Sequence, residues 1–298
     1  MNCKHAYLIL VHKNWEQLRK LIELIDDERN DIFLHIDRKS RISADEMRRI
    51  SQVAVHSNIT MVKRHRISWG GYSIVKAEFE LLNTAIHAGA YCYYHLISSM
   101  DLPVRTNDEI HAFFDRNQGK EFVRLSEACH IDMFRPRLKY YWFFQELIGK
   151  SRKNPLRIVQ WISIQIQKII GVNRIRDFTF AKGHQWFSIT DDFARYVCEN
   201  EPSVRKRLRF TFCADESMIQ PLIVDSIFKD RIYKPEPNEN EIMRAIDWNR
   251  GSPYVFRKED YDFLMKTKCM FARKFDEETD DEIIEMIYST LMHKKLQM

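Results

Sequence analysis

The chain has 298 residues, 45% hydrophobic and 30% charged, a composition that can bury a sizeable core and excludes a disordered or low-complexity protein. Its net charge of +5 leans towards anionic partners such as phosphates or lipid headgroups, but no nucleic-acid-binding motif is present, so nucleic acid is not an expected partner. The six cysteines (Cys3, Cys92, Cys129, Cys198, Cys213, Cys269) include no C-x-x-C pair, which argues against structural zinc or a redox dithiol and predicts small buried thiols in a reducing compartment.

Ala6 to Val11 is almost wholly apolar, as expected of a strand covered on both faces. Trp15, Leu18, Leu21, Ile22 and Ile25 then recur at helical spacing, and Asp31 to Asp37 reads as a second strand. Strand, helix and strand in so short a span form a βαβ unit, the usual opening of a nucleotide-binding α/β domain. Ligands of such sheets sit beyond the carboxyl ends of the strands, where His12, His35, Asp37 and Arg38 are expected. Neither G-x-G-x-x-G nor a P-loop is present, so a dinucleotide fold and an NTPase are both unsupported.

Asn58 to Val62 predicts a third strand. In Trp69-Gly70-Gly71-Tyr72-Ser73, Ser73 can cap a helix from Ile74 to His87. A helix start after two glycines can hold an anion, and a plain turn gives the same pattern. Tyr91 to Ser98 is a strong strand that delivers Asp101 at its end, a good place for chemistry and also a common turn residue. Thr106-x-x-Glu109 is a capping box opening a helix through Arg116, followed by a short strand at 121–125.

Residues 134–181 differ from the rest. They contain RPRLKYYWFF and then the basic amphipathic stretch from Ser151 to Asn173, with Trp161, Ile162, Ile164, Ile166, Ile169 and Ile170 at helical spacing, flanked densely by Arg and Lys, with only Glu146 and Asp177 acidic. Such a segment can lie on an anionic membrane surface, or it can be a helical insertion packed on the domain.

Gln185 to Ile189 reads as a strand, with a helix signal from Thr190. The pair Asp215-Glu216 precedes the apolar Met218, Ile219 and Leu222, so Asp215 is placed to cap a helix while Glu216 points elsewhere. If Glu216 faces a cleft, it is a held carboxylate with a free oxygen, which is what a general base needs. The bland alternative is that both acids dress a helix start.

Arg231 to Lys234 predicts a short strand, Glu259 to Lys268 a helix, and Asp280 to Met298 a helix with an acidic start and a lysine end that match its dipole. Asp260-Tyr261-Asp262 has D-x-D spacing but falls inside a predicted helix, so it reads as a solvated face. With no repeat or low-complexity linker, a single domain over 1–298 with a helical insertion is expected. No leader precedes the first strand and no run reaches the ~18 apolar residues of a membrane span, so the expected location is cytoplasmic, with peripheral attachment at the inner membrane face left open by the basic segment.

Taken together, AYLILVHK (6–13), HIDRKS (35–40), SWGGYSIVKAEFELL (68–82), YYHLISSMDLPVRTNDEI (93–110), KGHQWFSIT with CADESMIQPLI, IDWNRGSPYVF (246–256) and FARKFD (271–276) resemble, in order, the Core-2/I-branching family of glycosyltransferases. The resemblance implies a GT-A-like α/β fold and an inverting transfer from a UDP-sugar to an acceptor hydroxyl. It implies that Glu216 is the general base and that Lys274, with Arg250 or in reserve Arg244, neutralises the departing diphosphate in place of a metal. It further implies that Val11, His12 and Asp37 line the uridine pocket, that Asp101 stands where a metal-binding motif would, and that Trp248 packs on a sugar.

The expected function is therefore movement of N-acetylglucosamine or xylose onto a glycan or lipid-linked glycan in polysaccharide synthesis. Two other classes remain open: a non-catalytic sugar- or nucleotide-binding module, and a membrane-surface binder driven by the basic segment.

Overall fold

A computed structural model of the chain describes residues 3–297 except 127, 177–178 and 238. Asp177 and Met298, and the side chain of Cys129, lie outside the described residues. The strands are β1 (His5–Val11), β2 (Asn30–Ile36), β3 (Asn58–Met61), β4 (Tyr93–Ser98), β5 (Asp101–Pro103), β6 (Phe187–Thr190), β7 (Arg244–Ile246) and β8 (Phe271–Arg273).

The central sheet has the order β3-β2-β1-β4-β6, with β6 alone antiparallel. A smaller sheet runs β5-β8-β7. This mixed sheet flanked by helices is the α/β arrangement that the sequence led us to expect.

Period-two alternation in the strands builds two cores, one on each face. Tyr7, Ile9 and Val11 of β1 join Ile32, Leu34 and Ile36 of β2 against the helix Trp15–Ile25, the C-terminal helix Glu282–Gln297 and the small sheet. Ala6 and Leu8 face the other way, with Phe33, Tyr94 and Leu96, onto the helices Ser73–Ala88 and Asp191–Glu199. Helix Trp15–Ile25 has no side-chain cap at its start. Its Leu18, Leu21, Ile22 and Ile25 are each fully buried and contribute roughly 1.5–3 kcal/mol apiece, so packing outweighs the ~1 kcal/mol a cap would add.

Several expectations hold closely. The capping box Thr106/Glu109 is formed, and Thr190 caps Asp191–Glu199 through the N–H of Phe193. Others need correction. Residues 121–125 make isolated bridges, Glu121 to Ile232, Phe122 to Ser188 and Leu125 to Gly183, rather than a strand. Arg231 closes a 3-10 turn, Ile227–Arg231, instead of opening a strand.

His35 lies inside β2, buried, accepting from the N–H of His65 at 2.9 Å, and so is not beyond the strand end. Within Asp260-Tyr261-Asp262 only Asp262 is solvated. Asp260 is buried, because it accepts from the Arg257 N–H and from Arg250. Cys3 and Cys92 form a disulfide across the neighbouring ends of β1 and β4, with Cα atoms 5.6 Å apart. That corrects the reading of six reduced cysteines and removes the thiol argument for a reducing compartment.

A cluster of histidines is sealed between the sheet and the helix Asn107–Arg116. His95 bonds His5 at 3.0 Å and Ser188 at 2.7 Å, and His111 bonds Asn30 at 2.9 Å. Burial, and next the charge of Arg29, hold His111 down at about 4. The unfolded chain protonates this ring near 6.5 while the folded chain does not, so His111 makes stability fall as pH drops from 6.5 to 4, by roughly 3 kcal/mol. His111→Gln removes that loss. The variant is expected to be less stable than the wild type at neutral pH, with the gap closing by about that amount at pH 4; a gap independent of pH in urea titrations would contradict this.

Candidate active site

The carboxyl ends of β1, β2 and β4 share one edge of the sheet, and the antiparallel β6 starts there, since Leu96 pairs with Phe187. His12 follows β1, Asp37 follows β2, and Trp186 precedes β6. The small sheet adds β8, whose Arg273 pairs with Asp101. Of the residues singled out in the sequence, His12, Asp37 and Asp101 therefore lie along this rim.

Glu216 sits in a single 3-10 turn, Ala214–Ser217. The turn is entered through Cys213 in the left-handed region (φ 54°), whose N–H bonds the Gly70 carbonyl at 2.8 Å. The Glu216 carbonyl accepts from the Gly183 N–H at 2.8 Å. Only glycine fits there, because a Cβ at 183 would lie 1.7 Å from the Arg124 carbonyl oxygen.

The Glu216 carboxylate meets Lys182 Nζ at 3.1 Å and Arg137 Nη1 at 3.2 Å, both through Oε2. Among the described residues none donates to Oε1, and the side chain is 30% exposed. Both cations rest on the Phe134 ring, at 3.9 Å for Lys182 and 4.2 Å for Arg137. One oxygen is thus anchored, and the other has no partner among the described residues.

Asp215 does not cap a helix as expected: the turn is too short, and the following helix Gln220–Val224 starts without a side-chain cap. Asp215 keeps some accessible surface, but protein crowds its carboxyl on all sides. Burial, then the charge of Glu216, raise it to about 7, against the pull of Arg137 and Lys182. Behind it Glu78 is fully buried and accepts from Gln185 Nε2 at 2.7 Å. Burial, and then Asp215, push Glu78 well above the usual carboxylate range.

The other end of the rim is cationic. Lys274 follows β8, and its carbonyl accepts from the Phe256 N–H at 2.9 Å. Its ammonium has no ion-pair or hydrogen-bond partner among the described residues. Burial, followed by Arg273, Lys13 and Lys150, lowers its pKa against the opposing pull of Asp276. His12 is exposed at the mouth, where crowding and then Lys13, Lys274 and Arg273 lower its pKa. Lys13 itself is bound to Asp276 at 2.8 Å and Glu278 at 3.1 Å.

Asp37 accepts from the N–H groups of Lys39 at 2.9 Å and Ile67 at 3.2 Å. Val11 turns its side chain into the core, and its carbonyl already accepts from the Asp37 N–H. Asp101 is buried; its Oδ2 accepts from the Ser98 N–H and hydroxyl, each at 2.6 Å, and from Arg273 at 3.0 Å, and its Oδ1 accepts from Arg273 at 3.2 Å. Trp248 is 51% exposed and meets the His184 ring edge-on at 5.7 Å, which links this end to Lys182 and Glu216. Among the described residues no group of three or more His, Cys, Asp or Glu side chains gathers in a metal-ligand arrangement.

Both arginines put forward by the resemblance are engaged by protein groups. Arg244 is buried and donates to the carbonyls of Ile242, Leu96 and Phe187, which ties β7 to the main sheet. Arg250 is engaged by Asp247 and Asp260 and lies 4.0 Å over the Tyr254 ring. The guanidinium next to Lys274 is Arg273, stacked 4.2 Å over Trp186.

The sequence profile of the Core-2/I-Branching enzyme family matches residues 5–265, an interval that includes β1 to β7 and Glu216. The chain belongs to this family.

Among the relatives of this Core-2/I-branching chain, xylosyltransferase 2 from Homo sapiens and from Rattus norvegicus are each 23% identical over 301 aligned residues, covering 95% of this chain and 33% of theirs. Xylosyltransferase 1 from Rattus norvegicus is 21% identical, over 96% of this chain and 35% of its own length. The chain thus spans about a third of the length of these curated relatives. The crystal structure of mouse xyloside xylosyltransferase 1, apo form, superposes at a TM-score of 0.40 with 8% identity, covering 90% of this chain and 96% of that one.

The residues of this family member that sequence reasoning missed are Arg137, Lys182, Arg273, Glu78 and Trp186. Lys182 and Arg273 stood beside motif residues, at the head of KGHQWF and one place before Lys274. Arg137 lies in RPRLKYYWFF, where nothing separates it from its basic neighbours. The anion site suggested by Trp69-Gly70-Gly71-Tyr72-Ser73 is filled from within. The Glu146 carboxylate bonds the Ser73 N–H at 2.7 Å and hydroxyl at 2.8 Å, so Ser73 lies inside the helix rather than capping it.

Proposed function

We propose that the chain is an inverting glycosyltransferase that moves N-acetylglucosamine or xylose from a UDP-sugar to a hydroxyl of a glycan acceptor, without a metal ion, in the assembly of a polysaccharide or glycoconjugate. The observation that carries this reading is the Oε1 of Glu216, without a partner among the described residues and held beside Lys182 and Arg137.

In the reaction, Oε1 takes the acceptor proton as the acceptor oxygen bonds to the anomeric carbon. The bond from that carbon to the diphosphate oxygen breaks on the opposite face, and the electron pair leaves with UDP. Lys274, without an ion-pair partner among the described residues and in a positive field, stabilises the charge that develops. Arg273 adds to that field from its place on Asp101. Asp101 is already held by Ser98 and Arg273, which supports a reading in which cationic side chains rather than a metal ion meet the diphosphate. Xylose is among the donors because the relatives are named xylosyltransferases.

A thermal-shift series with UDP, UDP-N-acetylglucosamine and UDP-xylose, each with and without EDTA, tests the reading. Saturating nucleotide is expected to raise Tm by a few degrees, equally in chelator. No shift with any of them would remove the donor class, and a shift abolished by EDTA would remove metal independence.

A further inference from the structure

The helix Leu156–Ile169 is inside out. Its buried side chains are Gln160 and Gln167, two turns apart on the face towards the domain. Gln160 accepts from the Phe144 N–H at 3.0 Å and donates to the Tyr141 carbonyl at 3.2 Å. Gln167 accepts from the Tyr141 N–H at 2.7 Å and donates to the same carbonyl at 3.0 Å. The polar face is thus spent on satisfying the backbone of the 141–144 connection.

The apolar side chains point to solvent: Ile158, Trp161, Ile162, Ile166, Ile169 and Ile170 are between 46% and 84% exposed. A surface helix of a soluble domain normally does the reverse, and an apolar face this large marks a binding surface.

Charge decides what covers it. Residues 147–176 contain no acid. Lys150, Arg152, Lys153, Arg157, Lys168 and Arg176 are exposed there, and none makes an ion pair among the described residues. A second copy docked face to face would bring these cations against their own equivalents. An anionic lipid surface instead accepts both features at once, Trp and Ile into the acyl boundary and Lys and Arg against the headgroups.

We infer that Leu156–Ile169 with its basic flanks docks the protein on an anionic lipid bilayer. The same insertion supplies Arg137 to Glu216 and Lys150 to the field at Lys274, so docking brings the rim to the bilayer. That the acceptor is presented from this surface rests on the transferase reading; the docking does not.

The full chain is mixed with vesicles of phosphatidylcholine alone or with added phosphatidylglycerol, at low and high salt, and sedimented. Binding is expected to need phosphatidylglycerol, to weaken with salt, and to blue-shift Trp161 emission, a shift lost in Trp161→Phe. Replacing Arg152, Lys153 and Lys168 by Gln is expected to lower partitioning roughly a hundredfold. Replacing Ile162, Ile166 and Ile169 by Gln is expected to abolish it while leaving Tm and UDP binding unchanged. No binding to phosphatidylglycerol vesicles at low salt, binding indifferent to the isoleucine variant, or a dimer that the isoleucine variant dissolves would each overturn the inference.

Discussion

Glu216→Gln is expected to lower kcat for sugar transfer by about 10²–10⁴-fold while leaving the affinity for UDP within a factor of about two. The amide keeps the shape of the side chain and its place between Lys182 and Arg137, but it cannot accept the acceptor proton. The proposed nucleotide end, at Lys274 and His12, follows β8 and β1 rather than the turn that carries Glu216, so it is expected not to depend on that charge. If UDP affinity collapses together with turnover, Glu216 holds the turn rather than the proton. If turnover survives, another group is the base. Asp215→Asn serves as a control, since it leaves the Glu216 carboxylate in place while removing the neighbour raised to about 7.

Lys274→Ala is expected to weaken UDP binding by about 10–100-fold, the loss of one charge-assisted contact of about 1.5–3 kcal/mol, and to reduce kcat as well. An ammonium that is half-buried among Arg273, Lys13 and Lys150 without a carboxylate of its own is destabilised until an anion arrives. Binding a diphosphate relieves that strain, so the alanine variant is expected to fold at least as stably as the wild type and to lose salt sensitivity in UDP titrations. Lys274→Arg should recover most of the affinity and less of the rate, because a planar guanidinium meets the phosphates with a different geometry. Unchanged affinity in Lys274→Ala would remove the phosphate assignment and turn attention to Arg273.

The central elements were legible because their signals are local. The apolar runs of β1, β2 and β4 and the 3.6-period segments at 15–25 and 74–87 each record a burial requirement in their own spacing. The capping box Thr106/Glu109 is likewise complete within four residues. The errors fell where a distant partner decides. Residues 121–125 look like a strand but find only single bridging partners, and Asp215 looks like a cap until the left-handed Cys213 shortens the turn. Cys3 and Cys92 carry no spacing signal because they are joined across two strands 89 residues apart in sequence.

From its sequence alone the chain declared an α/β core and an ordered series of motifs, and the family resemblance carried by those motifs singled out Glu216 and Lys274. The core follows from short-range pattern and from which side chains can be buried, and the two residues follow from the resemblance. Tertiary structure alone decided how the ionic groups pair. It locked Arg273 onto Asp101, sealed Arg244 in the core, set Lys182 and Arg137 on one oxygen of Glu216, and turned the glutamines of Leu156–Ile169 inward. Charge pairing is set by distances between segments far apart in the chain, and no local periodicity encodes those distances.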